Sequence, residues 1–127
     1  MITSEKFPKF GEIWEVHFPK NSEDRKEIRP CLVISDNFKN EFDDEVVIVP
    51  ITTQDLEFIE KFEVLINNNI ENGLNFPSKI LFDSPRTLNR HLRLRKRLGK
   101  VNKEIIVKGI NSWLTAFNTE NWKEISN

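Results

Sequence analysis

The stretch Cys31-Leu32-Val33-Ile34-Ser35, followed after a polar interval by Val46-Val47-Ile48-Val49, decides the fold class of this chain of 127 residues. Both runs are short, apolar and rich in β-branched residues, which is typical of buried strands. The interval, residues 36–44, is polar and contains Asn and Asp, which favour turns. Two buried strands with a turn between them therefore predict a sheet at the centre of the protein.

Further strands are predicted on both sides of this pair. Short segments of strand-like composition, bounded by turn residues, occur at 11–18, 62–66, 79–82 and 94–101. In the last of these, alternation places Leu92, Leu94 and Leu98 on the apolar side. Residues 20–28 and 67–77 are predicted to be loops. The pattern is about six short strands in a meander.

One amphipathic helix is predicted after the strands. Asn102 is a suitable N-cap, and Glu104 favours the positive end of the helix dipole. Apolar residues then recur at helical spacing in one stripe, which is Ile106, Ile110, Trp113 and Phe117. Residues 118–127 are predicted to be a tail or a short added element.

Length and composition predict one globular domain in the cytoplasm. A chain of 127 residues is long enough for one domain and too short for two. No apolar run approaches the roughly 20 residues that a membrane span needs, and the N-terminus has no signal-peptide core. We therefore expect a single domain, residues 1–127, with a core at about 10–117. Its fold class is mainly β with a C-terminal helix, forming a small barrel or curled sheet.

Side chains suited to redox or metal chemistry are few. Cys31 is the only cysteine and lies in an apolar run, which favours a buried structural thiol. His17 and His91 are interpreted as structural or solvated histidines. No His and Cys cluster has metal-ligand spacing, so the sequence predicts neither a metal nor a cofactor.

The charge distribution points to an anionic partner. Residues 86–100 contain seven Lys or Arg and no acid, on a chain whose net charge is -1. Alternation predicts that Arg93, Arg95 and Arg97 share the face opposite the leucines. This face is either an anion-binding surface or a solvated face that sets solubility, and the local clustering favours the first.

Four segments, in order, resemble the MazF/PemK/Kid family of toxins from bacterial toxin–antitoxin pairs. They are Gly11-Glu12-Ile13-Trp14, Arg29-Pro30-Cys31-Leu32-Val33-Ile34-Ser35, Val47-Ile48-Val49-Pro50-Ile51-Thr52-Thr53 and Asp83-Ser84-Pro85-Arg86-Thr87. The resemblance spans about residues 10–117. It implies an SH3-like barrel of the MazF/Kid/CcdB toxin type that forms a homodimer. It also implies an endoribonuclease that cuts single-stranded RNA, including mRNA, at short sequences and arrests growth. The partner it implies is an antitoxin whose acidic, disordered tail covers the RNA groove.

The resemblance also implies catalytic residues for RNA cleavage without a metal. The reaction needs a proton acceptor for the 2′-hydroxyl, a proton donor for the leaving 5′-oxygen and positive charge at the phosphate. Arg29 is expected to stabilise the phosphate, and the hydroxyl of Thr52 to bond a phosphate oxygen or the 2′-oxygen. Asp83 matches the aspartate that acts as the base in Kid-like members. The expected products are a 2′,3′-cyclic phosphate and a 5′-hydroxyl.

Each of these residues also has an interpretation without catalysis. Arg29 could be a surface arginine on a loop, and Thr52 a hydroxyl that forms a turn. Asp83 could be the partner of Arg86 in a structural ion pair. The resemblance decides in favour of catalysis for the first two residues, and the two interpretations of Asp83 stay open.

The remaining substrate-binding candidates follow from the same resemblance. They are Thr53, Arg86 and Thr87, one carboxylate of the first loop, and the arginines Arg93, Arg95 and Arg97. Glu23 matches the loop carboxylate by identity, whereas counting back from Arg29 favours Asp24. Arg86 alternatively organises the sheet. The chain departs from Kid-like members at Leu81, where they carry an arginine.

Two other functions fit the same expected fold. The first is a poison of DNA gyrase of the CcdB type, and the second is a non-catalytic module that binds nucleic acid or protein. The presence of Arg29 and Thr52 favours the ribonuclease over both.

Overall fold

Seven strands and four helices make up the part of the chain that the computed structural model describes, residues 7–19 and 28–126. In chain order they are β1 (Glu12–His17), β2 (Ile28–Val33), α1 (Asn37–Phe42), β3 (Glu45–Thr52), β4 (Glu63–Ile66), β5 (Ser78–Leu81), β6 (Arg86–Asn89), α2 (Arg90–Arg93), β7 (Leu94–Lys100), α3 (Lys103–Ala116) and α4 (Thr119–Ser126). The prediction of a mainly β protein with a C-terminal helix is confirmed. The loop predicted at 20–28 lies outside the described residues except at its last position.

The strands form one antiparallel sheet in the order β4-β5-β3-β2-β1-β7, with β6 also paired to β3. The predicted meander is wrong, because β7 returns to pair with β1 and β5 and β6 share one side of β3. Within the described strands the path runs from β4 to β7 without closing into a ring. The middle of the sheet is formed by β3 and β2, which are the two strands predicted from the apolar runs.

The strand β3 has two successive partners on its outer side. Its end pairs with β5 through Ile51↔Ile80, and its first half pairs with β6 through Ile48↔Arg86. Between these two pairs β3 advances by three residues and the opposite chain by six. The opposite chain therefore has three extra residues between these pairs, and residues 82–85 form the connection between β5 and β6, which contains Asp83.

Two apolar clusters lie on opposite faces of the sheet. One cluster contains Ile13, Leu32 and Ile51, and α3 packs over it through Ile105. The other contains Val16, Cys31, Val33, Val46 and Ile48, whose side chains alternate with those of the first. The central strands are buried on both faces, which explains why they have continuous apolar sequences instead of alternating ones.

The helix α3 begins as predicted, but its buried line is displaced from the apolar stripe. The side chain of Asn102 accepts a hydrogen bond from the Ile105 backbone N–H, which is the expected cap. The buried residues, however, are Ile105, Gly109 and Ser112, whereas Trp113 in the stripe is 39% exposed. Gly109 causes this offset, because a Cβ at that position would overlap the tip of the Phe82 ring. The helix α3 packs against Phe82 at Gly109, where no side chain is in the way.

Three short elements were not predicted from the sequence. Within residues 36–44, where turns were predicted, the helix α1 forms, with Asp36 as an N-cap that accepts from the Phe38 N–H. Residues 86–93 form β6 and α2, and Leu92 is 59% exposed instead of lying on an apolar side. Helices of one or two turns contain too few residues for a periodic signal. The tail predicted at 118–127 contains α4.

No helix among the described residues is long and apolar enough to cross a membrane.

Candidate active site

The guanidinium of Arg29 is anchored at the end of β3. Arg29 is the second residue of β2, is half-buried and pairs with Val16 of β1. Its Nη2 donates a hydrogen bond of 3.3 Å to the carbonyl oxygen of Ile51. Arg29 is therefore a strand residue with a fixed head group, and the alternative of a surface arginine on a loop is wrong.

Arg29 and Thr52 lie just beyond the last ladder pair of β2 and β3. The ladder pairs Val33 with Ile48 and Cys31 with Pro50, and the same register two residues further places Arg29 against Thr52. Directly opposed residues of an antiparallel pair point to the same face of the sheet. A guanidinium and a hydroxyl from separate strands are thus brought together at one place on the sheet.

The hydroxyl oxygen of Thr52 has a defined partner. Thr52 is the last residue of β3, and its Oγ1 accepts a hydrogen bond of 3.2 Å from the Gln54 backbone N–H. A hydroxyl combines one O–H donor with acceptor lone pairs. Because Gln54 occupies an acceptor position, the O–H hydrogen is directed elsewhere and can donate to an oxygen of a ligand. The turn-forming interpretation of Thr52 is therefore correct and compatible with ligand binding.

Arg86 adds a second cation to the same face. It pairs with Ile48, and Ile48 shares its face with Thr52 because residues alternate along β3. The guanidinium carbon of Arg86 lies 5.7 Å from the centroid of the Phe18 ring, a cation–π distance. Phe18 is itself buried. This contact orients Arg86 and joins β6 to the residue that follows β1.

The other candidates from the family signature lie apart from this face or at its margin. Thr87 pairs with Val47 and therefore points to the opposite face from Arg86. Thr53 is exposed just beyond the end of β3. Asp83 is exposed in the connection between β5 and β6, where the Ser84 hydroxyl donates to its Oδ1 at 3.4 Å. Glu23 and Asp24 lie outside the described residues.

The predicted arginine face of the last strand is divided by two irregularities in the β1–β7 ladder. The register shifts between Ile13 and Trp14 and again between Glu15 and Val16. As a result Arg97 pairs with Trp14 and Leu94 with Val16, so these two β7 residues share a face. The prediction that the arginines lie opposite the leucines is wrong, because each bulge inserts one residue and reverses the alternation.

The three arginines consequently have different surroundings. Arg93 belongs to α2 and not to the strand, and Arg95 is an exposed residue in the bulge. The Nε of Arg97 forms an ion pair of 2.7 Å with Oε2 of Glu12. Glu12 also accepts from the Trp14 indole N–H at 3.0 Å. Arg97 therefore connects β7 to β1, and Arg95 is the more accessible cation of the strand.

Sequence reasoning missed a buried ion pair beside Thr52. Lys79 of β5 pairs with Thr52 in the ladder, and its ammonium lies 2.9 Å from the carboxylate of Glu63 in β4. Both side chains are almost completely buried. The available signal was a lysine within the apolar strand Lys79-Ile80-Leu81-Phe82 and a glutamate at the start of the neighbouring one. Neither residue matches a family motif.

The remaining reactive side chains have structural surroundings. Cys31 is completely buried in the second apolar cluster, as predicted. His17 lies 3.2 Å from a carboxylate oxygen of Glu15, and His91 lies 3.2 Å from one of Asp44. Among the described residues, no group of three or more His, Cys, Asp or Glu side chains is arranged to hold a metal ion.

The chain matches one protein family and several solved structures. The sequence profile of the PemK-like, MazF-like toxins of type II toxin–antitoxin systems matches residues 9–117. One similar solved structure is an endoribonuclease in complex with its cognate antitoxin from Mycobacterial species, with 22% identity, coverage of 87% of this chain and 94% of that chain, and a TM-score of 0.70. None of the curated proteins matches significantly.

Two further solved structures have the same fold. MazF (Form-I) from Deinococcus radiodurans is 19% identical, with 87% of this chain and 96% of that chain covered and a TM-score of 0.72. The Mycobacterium tuberculosis toxin MazF-mt6 is 20% identical, with 84% and 96% covered and a TM-score of 0.69. The family profile extends over nearly the whole described chain, from before β1 to the end of α3. This protein therefore belongs to the PemK-like, MazF-like family of toxins of type II toxin–antitoxin systems.

Proposed function

We propose that this protein is a metal-independent endoribonuclease that cleaves single-stranded RNA, including mRNA, at short sequences and thereby inhibits growth. The observation that carries the proposal is the hydrogen bond from Arg29 to the carbonyl oxygen of Ile51, the residue before Thr52. The register of β2 and β3, continued by two residues, sets Arg29 and Thr52 on one face. Family membership and the similarity to structures named as endoribonucleases support the same reaction.

The proposed reaction is a transfer of the phosphodiester within the RNA chain. The 2′-oxygen bonds to phosphorus as the bond from phosphorus to the 5′-oxygen breaks, which leaves a 2′,3′-cyclic phosphate and a 5′-hydroxyl. The Arg29 guanidinium stabilises the charge that develops on the phosphate oxygens, and the Thr52 O–H donates to one of them. The planar fork of a guanidinium matches the geometry of phosphate oxygens, which suits Arg29 to this role.

Asp83 is the proposed base in this reaction. Its carboxylate is exposed in the connection between β5 and β6, so RNA can reach it. It accepts the proton of the 2′-hydroxyl, and water in this exposed site supplies the proton that turns the leaving 5′-oxygen into the 5′-hydroxyl. A chain without a 2′-hydroxyl has no nucleophile for this reaction, so DNA is not a substrate.

The proposed partners are the RNA, an antitoxin and a second copy of the chain. The exposed cations Arg95 and Lys96 on β7 favour an anionic ligand, either RNA or the acidic tail of an antitoxin. Complexes with antitoxins are known for the similar structures from Mycobacterial species and Deinococcus radiodurans. Ile110 and Trp113 of α3 leave apolar surface exposed, which favours a homodimer. The proposed location of this complex is the cytoplasm.

The test is RNA cleavage in the presence of EDTA. Purified protein is incubated with RNA of mixed sequence, and the new ends are mapped. We expect cyclic phosphate and 5′-hydroxyl ends from the wild type, loss of cleavage in Arg29→Ala, and full cleavage in Lys103→Ala, which removes an exposed cation of α3. Intact RNA together with gyrase trapped on DNA would instead support a CcdB-like poison.

A further inference from the structure

The ammonium of Lys79 is enclosed by three oxygen atoms. It donates to the backbone carbonyls of Asp55 and Phe58, each at 3.0 Å, and to a carboxylate oxygen of Glu63 at 2.9 Å. A lysine has three N–H donors, so each has an acceptor. The Lys79 side chain is 8% exposed and that of Glu63 11%. The result is a closed cage around one buried positive charge.

The cage organises the loop between β3 and β4, residues 53–62. Two of the three oxygens belong to the loop backbone, and the carboxylate of Glu63 also accepts from the Glu60 N–H at 3.0 Å. Asp55 has a φ of 53°, a backbone conformation that a non-glycine residue adopts at some cost. The bonds to Lys79 offset that cost and hold the loop in one shape.

The same loop fixes the candidate catalytic hydroxyl. Lys79 is the ladder partner of Thr52, so the two side chains point to the same face. Gln54, one residue before the carbonyl that Lys79 binds, donates its backbone N–H to Oγ1 of Thr52. A continuous chain of bonds therefore leads from the ammonium of Lys79 through the loop backbone to the Thr52 hydroxyl.

We propose that Lys79, paired with Glu63, is a positioning residue that orients the Thr52 hydroxyl for RNA cleavage through the loop 53–62. The proposal rests on the function proposed above. A buried ion pair seldom adds much net stability, because removing two charges from water costs about as much as their attraction returns. The role of the pair is instead to fix the position of Gln54, so that its backbone N–H donates to Oγ1 of Thr52.

The test replaces both members of the pair at once, with Lys79→Met and Glu63→Gln. This variant leaves no uncompensated buried charge, and the amide oxygen can still accept from Glu60. Single-turnover cleavage is measured for the variant in the Thr52 protein and again in a Thr52→Val background. We expect a fall of about 10- to 100-fold in the first case, as for a small displacement of a catalytic group, and less than about twofold in the second. Equal losses in both backgrounds would show a merely structural role and overturn the proposal.

A second measurement does not depend on activity. The three-bond couplings of Thr52 in NMR spectra report its side-chain rotamer in the protein without RNA. We expect one rotamer in the wild type and in the control Lys61→Met, which removes an exposed lysine of the same loop, and rotamer averaging in the double variant. An unchanged Thr52 rotamer in the double variant would overturn the proposal. If the wild type left RNA intact, the proposed function would fail, while rotamer averaging would still support the positioning of Thr52 by Lys79.

Discussion

The guanidinium of Arg29 and the carbonyl oxygen of Ile51 are joined by a hydrogen bond of 3.3 Å between the start of β2 and the end of β3. The bond lies just beyond the last ladder pair of these strands, Cys31↔Pro50. Where the backbone hydrogen bonds of the ladder stop, this bond from a side chain to the backbone still holds the two strands together. Because Ile51 precedes Thr52, this bond also places the cation beside the hydroxyl.

Replacing Arg29 by lysine tests whether the planar head group matters as well as its charge. Lysine keeps the positive charge but cannot bond Ile51 and a phosphate oxygen with the geometry of a guanidinium. We expect the rate of RNA cleavage at saturating RNA to fall about 100-fold, with RNA affinity almost unchanged. Cleavage at the wild-type rate in Arg29→Lys would reduce the role of Arg29 to that of a simple charge.

Substitutions at Thr52 separate its hydroxyl from its shape. Valine has nearly the same volume without the O–H, whereas serine retains the O–H. We expect Thr52→Val to lower the single-turnover cleavage rate about 100-fold and Thr52→Ser to lower it by less than about tenfold. Thr53→Val tests the neighbouring candidate, which is exposed beyond the strand. A larger loss in Thr53→Val than in Thr52→Val would transfer the role to the neighbouring position.

The role of Asp83 as the base predicts a specific loss on removal of its charge. Asp83→Asn retains the size of the side chain and cannot accept the proton, so we expect cleavage to fall at least about 100-fold. Ser84→Ala, which removes the hydroxyl next to that carboxylate, is expected to leave the rate within about twofold. Both rates are measured on one RNA of fixed sequence, and equal effects of the two substitutions would exclude Asp83 as the base.

The two arginines of β7 are expected to act on different properties. Arg95 is exposed, so Arg95→Ala should weaken RNA binding and reduce the slope of log affinity against log salt by about 0.7. Arg97 is bound to Glu12, so Arg97→Ala should lower the free energy of unfolding by up to about 1 kcal/mol and leave that slope unchanged. Binding at several salt concentrations and denaturant unfolding measure the two effects. If Arg97→Ala reduced the salt slope and Arg95→Ala did not, Arg97 would have to leave Glu12 in order to bind RNA.

Gly109 is expected to be more important for stability than its helical position suggests. Alanine normally stabilises a helix relative to glycine by about 1 kcal/mol. A Cβ at Gly109, however, would overlap the buried Phe82 ring, and overpacking costs about 1–3 kcal/mol. We therefore expect Gly109→Ala to lower the free energy of unfolding by about 1–2 kcal/mol. The exposed control Asn111→Ala should lie within about 0.5 kcal/mol of the wild type. A stabilised Gly109→Ala would mean that Phe82 repacks freely.

Local sequence signals were sufficient for the elements whose causes are local. The runs at 31–35 and 46–49 predicted β2 and β3 because β-branched residues in a short apolar segment favour a buried strand. Asn102 predicted the start of α3 because a cap depends only on the next three residues. The resemblance to the toxin family then named Arg29 and Thr52 as candidates, and the hydrogen bond from Arg29 to Ile51 brings the guanidinium to the residue before Thr52.

The tertiary structure alone decided the features that depend on distant residues. The reversal of alternation in β7 arises from its pairing with β1, and the displacement of the buried line of α3 arises from Phe82. The cage of Lys79 and Glu63 needs two strands and a loop to meet around one ammonium. The sequence by itself determined the longer strands and the start of α3, and it named candidate residues, because propensities and caps act over a few neighbours. Only the tertiary structure decided which faces those residues share, because register and packing depend on contacts between residues far apart in the chain.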